Sequence, residues 1–155
     1  MAFVKPKLAI LISGRGSNLE AIYRATQNNH LFAQIACVIS NKTSAKGLAF
    51  AKKKQLNTAV FNPKDLQKNY EKQLVSYLKS QQVEWVILAG YMKVVKQDLL
   101  TAYPNRILNI HPSLLPAFKG LDAQKQALDY GVKITGCSVH YVNKDIDGGK
   151  IIAQS

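Results

Sequence analysis

Residues 7–18 read KLAILISGRGSN, and this stretch decides the fold class. Lys7 to Ile12 is a short, nearly all-apolar run, the pattern of a strand covered on both faces. It ends in Ser13-Gly14-Arg15-Gly16-Ser17-Asn18, where a helix is expected to begin. Ser17 and Glu20 have capping-box spacing, and Leu19, Ile22 and Tyr23 share one helical face. Strand, glycine turn, helix is the opening of a βαβ unit.

Working outward, the alternation continues. Gln34 to Ser40 (QIACVIS) is a second strand, followed by polar Asn41 to Ser44 and an Ala/Lys-rich helix to about Lys54. Thr58 to Phe61 is a third strand. Asn62-Pro63 then supplies an N-cap with proline at the first helical position, and Asp65 lies in the first turn. Leu66, Tyr70, Leu74, Tyr77 and Leu78 keep one helical stripe. Trp85 to Ala89 is a fourth buried strand, Lys96 to Tyr103 a short helix stopped by Pro104, and Arg106 to Ile110 a fifth strand running into His111-Pro112-Ser113. A helix over about Leu121 to Tyr130, an alternating strand over Thr135 to Val142 and a last strand over Lys150 to Ala153 complete the pattern. The expectation is one α/β domain: an open, mostly parallel sheet with flanking helices, without internal repeat or interdomain linker.

Composition narrows the function classes. The 155 residues are 47% hydrophobic and 19% charged, a globular balance. No apolar run approaches the ~18 residues of a membrane span, and no signal-peptide h-region leads the chain. Cys37 and Cys137 form neither a disulfide framework nor a metal-ligand spacing, so a reducing compartment is expected. Lys plus Arg outnumber acids 21 to 9, a net charge of +12. The basic residues are mostly Lys and spread along the whole chain, with the densest cluster at Lys52 to Lys54. Without an RNP-type strand or a zinc finger, this fits a solvated basic surface with an anionic small ligand better than a dedicated nucleic-acid binder.

Three segments leave strands with unusual polar residues, where ligands bind in open α/β sheets. Gly14 and Gly16 let backbone approach an anion, and the helix start at Ser17 and Asn18 presents free N–H groups. The third glycine of a dinucleotide fingerprint is missing, since position 19 is Leu, so the guest expected here is a single phosphate; the competing reading is a plain tight turn. Alternation puts Asn109 and His111 on one strand face, a carboxamide and an imidazole suited to acyl transfer; the competing reading is a structural histidine. Asp145-Ile146-Asp147-Gly148-Gly149 is a glycine turn; an aspartate here is either turn chemistry or, close to His111, a charge that favours the imidazolium. His140 is read first as a structural strand histidine, with a place lining the site as the competing reading.

Together these segments resemble the folate-dependent formyltransferases. The matching stretches are LISGRGSNLEAI (11–22), VISNK (38–42), ILAGYMK (87–93), ILNIHPSLLPAFKG (107–120) and GCSVHYVNKDIDGG (136–149). The Ser-Gly-x-Gly-Ser-Asn-Leu start is similar to the glycinamide ribonucleotide branch. The resemblance implies formyl transfer from 10-formyltetrahydrofolate, as cosubstrate, to the amine of 5'-phosphoribosylglycinamide in purine biosynthesis. It implies a catalytic trio of Asn109, His111 and Asp147, and a phosphate site at Gly14, Gly16, Ser17 and Asn18. The implied folate pocket comprises Met92, Lys93, Val94 and Val95, with Asn109, Asn143, Lys144, Asp145, Ile146 and Asp147. Direct amine attack needs neither metal nor covalent enzyme intermediate. A cytoplasmic monomer or homodimer acting on small molecules, away from membranes, is implied as well.

Three departures accompany the resemblance. Gln67 stands where some members carry a folate-contacting arginine. Leu121 to Gln124 lacks the histidines often found there. The family continues for several tens of residues beyond the position of Ser155, so residues 1–155 are expected to be a single catalytic domain shortened at its C-terminus. Alternatives are activity like that of methionyl-tRNA formyltransferase or formyltetrahydrofolate hydrolase, or a non-catalytic folate or nucleotide binder.

Overall fold

The computed structural model describes residues 4–155. Five parallel strands, β1 (Lys7–Ile12), β2 (Gln34–Ser40), β3 (Thr58–Val60), β4 (Trp85–Leu88) and β5 (Ile107–His111), are extended by two antiparallel ones, β6 (Ser138–Tyr141) and β7 (Ile151–Gln154). The sheet order is β3-β2-β1-β4-β5-β6-β7. The helices are α1 (Ser17–Gln27), α2 (Lys46–Lys53), α3 (Pro63–Leu66), α4 (Tyr70–Ser80), α5 (Gln97–Ala102) and α6 (Ala123–Tyr130).

The all-apolar reading of β1 follows from its place. Side chains alternate across a strand, and here both sides are covered. Ala9 and Leu11 pack with Leu74 and Leu78 of α4 and Leu99 of α5. Ile10 and Ile12 pack with Leu19 of α1 and Leu48 and Ala51 of α2. Because chain order runs outward from β1 to β2 and β3 on one side and to β4 and β5 on the other, the strand order reverses between β1 and β4. Such a switch point opens a crevice beyond the carboxyl ends of the strands.

Three local expectations are corrected. The Ser17/Glu20 capping box does not form: Gly16 is the N-cap, at φ +86°, and no side chain caps α1. A Cβ on Gly16 would lie 2.9 Å from Gly47 Cα, so backbone packs on backbone there and Ser is pushed one position into the helix. The helix starting at Asn62-Pro63 is capped as expected, with Asn62 Oδ1 accepting from Lys64 N at 3.0 Å. It is not continuous, however; Gln67 adopts φ +45°, a 3₁₀ turn covers Gln67–Asn69, and α4 starts anew at Tyr70. The break turns Tyr70 and Glu71 inward, both buried. Finally, the strand expected over Thr135 to Val142 is confined to Ser138–Tyr141.

The core has a pH signature. Cys37 of β2 is fully buried, and burial pushes its thiol from 9.0 up to about 12. Burial likewise raises the Tyr103 hydroxyl to about 12, and Tyr91 and Tyr70 move upward. These groups stay protonated in the fold at pH values where the unfolded chain has released its protons. Their contribution to stability is therefore complete below about pH 9 and is lost as pH rises toward about 12. The urea midpoint should hold to about pH 9 and then decline, less steeply in Cys37→Ala. A midpoint that stays flat through this window in the parent chain would contradict the assignment.

Candidate active site

At the carboxyl end of β5 the sequence places two polar side chains on one face. Asn109 and His111 are two residues apart, and β6 runs antiparallel beside them with His140 opposite Asn109 and Ser138 opposite His111. The turn after β6 returns over this face, bringing Asp147 in at φ +48°, a left-handed conformation that aspartate tolerates better than most residues. The Asp147 side chain is only 10% exposed. One oxygen, Oδ2, lies 3.3 Å from His111 Nδ1 and accepts from Gly120 N at 2.8 Å. The other, Oδ1, lies 3.4 Å from Asn109 Nδ2 and 3.5 Å from His140 Nε2.

His111 is buried, and its second nitrogen, Nε2, lies 2.8 Å from the Phe118 carbonyl. A carbonyl only accepts, so Nε2 carries a hydrogen; with the carboxylate at Nδ1, both ring nitrogens face acceptors, the surroundings of an imidazolium. The chain between Ser113 and Gly120 is fastened over this cluster. Ser138 Oγ donates to Ser113 O at 2.7 Å and accepts from Leu115 N at 3.0 Å, while Ser113 Oγ donates to Ala117 O at 2.6 Å.

The glycine turn after β1 lies at the same edge of the sheet. Glu20 N bonds to Gly16 O at 2.9 Å, leaving the N–H groups of Ser17, Asn18 and Leu19 ahead of the first helical bond. Ser17 and Gly14 are exposed and Asn18 half-buried. Ser13 ties this turn to its neighbours: Oγ donates to Asn41 Oδ1 at 2.6 Å and accepts from Met92 N at 2.7 Å, and Ser13 N donates to Gly90 O at 3.1 Å. The sequence places Ser13 in the turn without showing this linking role, and sequence reasoning missed Gly47. Gly47 N bonds to Gly14 O at 3.0 Å, and only the position of α2 reveals that contact.

The segment Met92–Val95 follows β4, with Met92 and Val94 exposed. Its two ends are gripped by the first turn of α4: the Tyr70 and Tyr91 hydroxyls are hydrogen-bonded, and the buried Glu71 carboxylate accepts from Lys96 N at 2.6 Å and Leu99 N at 3.1 Å. Lys93 Nζ lies 5.1 Å from the centre of the Tyr70 ring. On the other side, Asn143 Oδ1 accepts from Asp145 N at 2.9 Å, and Lys144, Asp145 and Ile146 are exposed. None of the hydrogen bonds of Met92–Val95 among the described residues reaches Asn109, His111 or Asp147. An apolar groove of about 430 Å³ is lined by residues including Leu114, Phe118, Tyr130 and Ile134 and by none of the trio, and it offers no titratable cluster for chemistry. Among the described residues no group of His, Cys, Asp and Glu is arranged to hold a metal ion, and no helix is long and apolar enough to cross a membrane.

The sequence model of the formyl transferase family matches residues 6–155. The chain belongs to this family. Formyl transferases similar to it include the phosphoribosylglycinamide formyltransferase of Haemophilus influenzae, 44% identical over 96% of this chain and 71% of that one. The human trifunctional purine biosynthetic protein adenosine-3 is 43% identical over 97% of this chain and 15% of its own length. The crystal structure of glycinamide ribonucleotide transformylase 1 from Symbiobacterium toebii superposes with a TM-score of 0.95 at 43% identity, covering 97% of this chain and 72% of that one. The sheet order and flanking helices described above are therefore those of solved formyl transferases.

The Glu71 grip has a measurable consequence. A glutamine there must present an N–H donor to one of two backbone N–H groups. Glu71→Gln should lower unfolding stability by about 1–3 kcal/mol in urea, with faster amide exchange at Lys96 and Leu99. Unchanged exchange at both amides would show that the carboxylate does not hold this turn.

Proposed function

We propose that the chain transfers a formyl group from 10-formyltetrahydrofolate to the amine of 5'-phosphoribosylglycinamide. The observation that carries this reading is the convergence of an amide, an imidazole and a buried carboxylate at one sheet edge, beside a glycine turn suited to a phosphate. The names of the similar proteins support formyl transfer and the ribonucleotide acceptor; the folate donor is what the family resemblance implies. One sheet includes all seven strands of the described residues, which supports a single catalytic domain.

The residues fit these ligands. The helix start at Ser17 and Asn18 offers N–H groups and the positive end of a helix dipole to the phosphate. The segments 92–95 and 143–147 would line the folate site, held in place by Glu71 and by the Asn143 turn. Bound there, 10-formyltetrahydrofolate supplies the formyl group. This chain's task is then to receive negative charge as it builds on the formyl oxygen. Asn109 Nδ2 and a protonated His111 are the donors for it. His111 Nε2–H, now given to the Phe118 carbonyl, is the bond exchanged for one to substrate. Asp147 keeps the imidazolium paired throughout. As the amine–carbon bond forms and the bond from the formyl carbon to the folate nitrogen breaks, the attacking amine must lose a proton and the departing nitrogen must gain one. His111 can relay it, giving its Nε2 proton to the departing nitrogen and recovering one from the amine.

Formyl transfer followed optically, with glycinamide ribonucleotide, methionyl-tRNA and water as parallel acceptors, tests the reading. Turnover is expected with the ribonucleotide alone, reduced by about 10²–10³ in His111→Ala. Transfer only to tRNA or to water would replace the proposed acceptor. Binding of folate and nucleotide without turnover would identify a binder.

A further inference from the structure

His140 is a buried, titratable side chain inside the cluster that the trio does not use. It is 2% exposed and stands directly across the β5/β6 ladder from Asn109. Its Nδ1 lies 2.8 Å from the Tyr141 carbonyl. That oxygen only accepts, so Nδ1 carries the hydrogen, and in the neutral ring Nε2 presents a lone pair. The lone pair faces Asn109 Nδ2 at 3.2 Å. The arrangement is held from behind, because a Cβ on Gly149 would lie 1.7 Å from the Tyr141 oxygen and 3.6 Å from His140 Nδ1. Only glycine lets the returning turn pass the carbonyl that sets this tautomer.

We propose that His140 is a positioning residue: its Nε2 accepts one hydrogen of the Asn109 amide and so fixes which way that amide faces. The inference rests on the formyl-transfer reading for its consequence in turnover, while the contact itself stands on the geometry. An asparagine amide can be placed two ways about its last torsion. Turned over, Asn109 would set its oxygen against both the His140 lone pair and the Asp147 carboxylate, and the amide would lose two acceptors. In the observed orientation, one Nδ2 hydrogen is anchored on His140. The other points toward Asp147 Oδ1 at 3.4 Å, a long and weak bond. With the amide so fixed, that loosely held hydrogen is the one a developing oxyanion can compete for. His140 thus acts on the reaction only through Asn109, and it works as the neutral ring; a protonated Nε2 would turn from Asn109 toward Asp147, 3.5 Å away.

Two variants and one spectrum test this. His140→Phe keeps a ring and removes the acceptor; His140→Gln keeps an acceptor near the Nε2 position. Long-range ¹H–¹⁵N correlation on the parent chain should show His140 with its hydrogen on Nδ1. The Asn109 side-chain amide resonances should move in His140→Phe and return toward the parent values in His140→Gln. In turnover, His140→Phe should lose about tenfold in kcat with little change in KM, and His140→Gln should recover most of it. A hydrogen on Nε2, or Asn109 amide resonances unmoved in His140→Phe, would overturn the proposal. So would an unchanged kcat in a turning-over His140→Phe enzyme. Absence of turnover in the parent chain would remove the formyl-transfer reading alone, since the resonances decide the contact without it.

Discussion

A carboxylate taken out of water must be met by donors, and Asp147 sets that requirement for the whole carboxyl edge of β5 and β6. Its two oxygens are within reach of His111, Gly120 and Asn109, and a second histidine lies at the edge of hydrogen-bonding range. To bring it there, the chain must leave β6, double back and enter a left-handed turn. Gly148 and Gly149 make this possible, since Cβ atoms there would lie 2.7 Å from Asp145 Cβ and 1.7 Å from the Tyr141 oxygen. The switch from parallel to antiparallel pairing at β5/β6 is part of the same device, because it returns the chain to the strand it has just left.

The first half of the chain solves a different problem with similar means. β1 lies inside the sheet, buried from Ala9 to Ile12, and its carboxyl end must open into a turn that an anion can approach. Close packing of Gly16 on Gly47 brings the starts of α1 and α2 together, and Ser13 bonds that turn to Asn41 and to Met92. The nucleotide end and the folate end of the proposed site are therefore joined through one buried hydroxyl. The first turn of α4 holds the far side, through Tyr70 and Glu71.

The layout of strands and helices was legible because the central strands are covered on both faces and show as continuous apolar runs, as in KLAILI and WVILA. Asn62-Pro63 announced its own cap for a local reason as well. Features that depend on partners distant in sequence were not legible. The break at Gln67 is invisible in a stripe spaced four residues apart, and becomes intelligible only when Tyr70 meets Tyr91 and Glu71 meets Lys96. Ser17 read as a cap because the contact excluding a side chain at Gly16 comes from Gly47. At the site, alternation predicted that Asn109 and His111 share a face; Asp147 was named by the family resemblance, and its distances to both come only from the fold. His140 reads first as a structural strand histidine and only second as a site residue, because alternation within its own strand does not show that it faces Asn109. Its signal was the Ser138–His140 spacing, which matches that of Asn109–His111 in the neighbouring strand.

The central claim is that the charge of Asp147 assembles this edge. It is tested most directly by Asp147→Asn, with amide exchange and formyl transfer measured on the same preparation. An asparagine fills the same space but must turn either a neutral oxygen or an N–H toward Gly120 N and His111. Exchange at the Gly120 amide should accelerate, and turnover should fall by about 10²–10³, with melting otherwise cooperative. A parent-like rate together with a protected Gly120 amide would contradict the account.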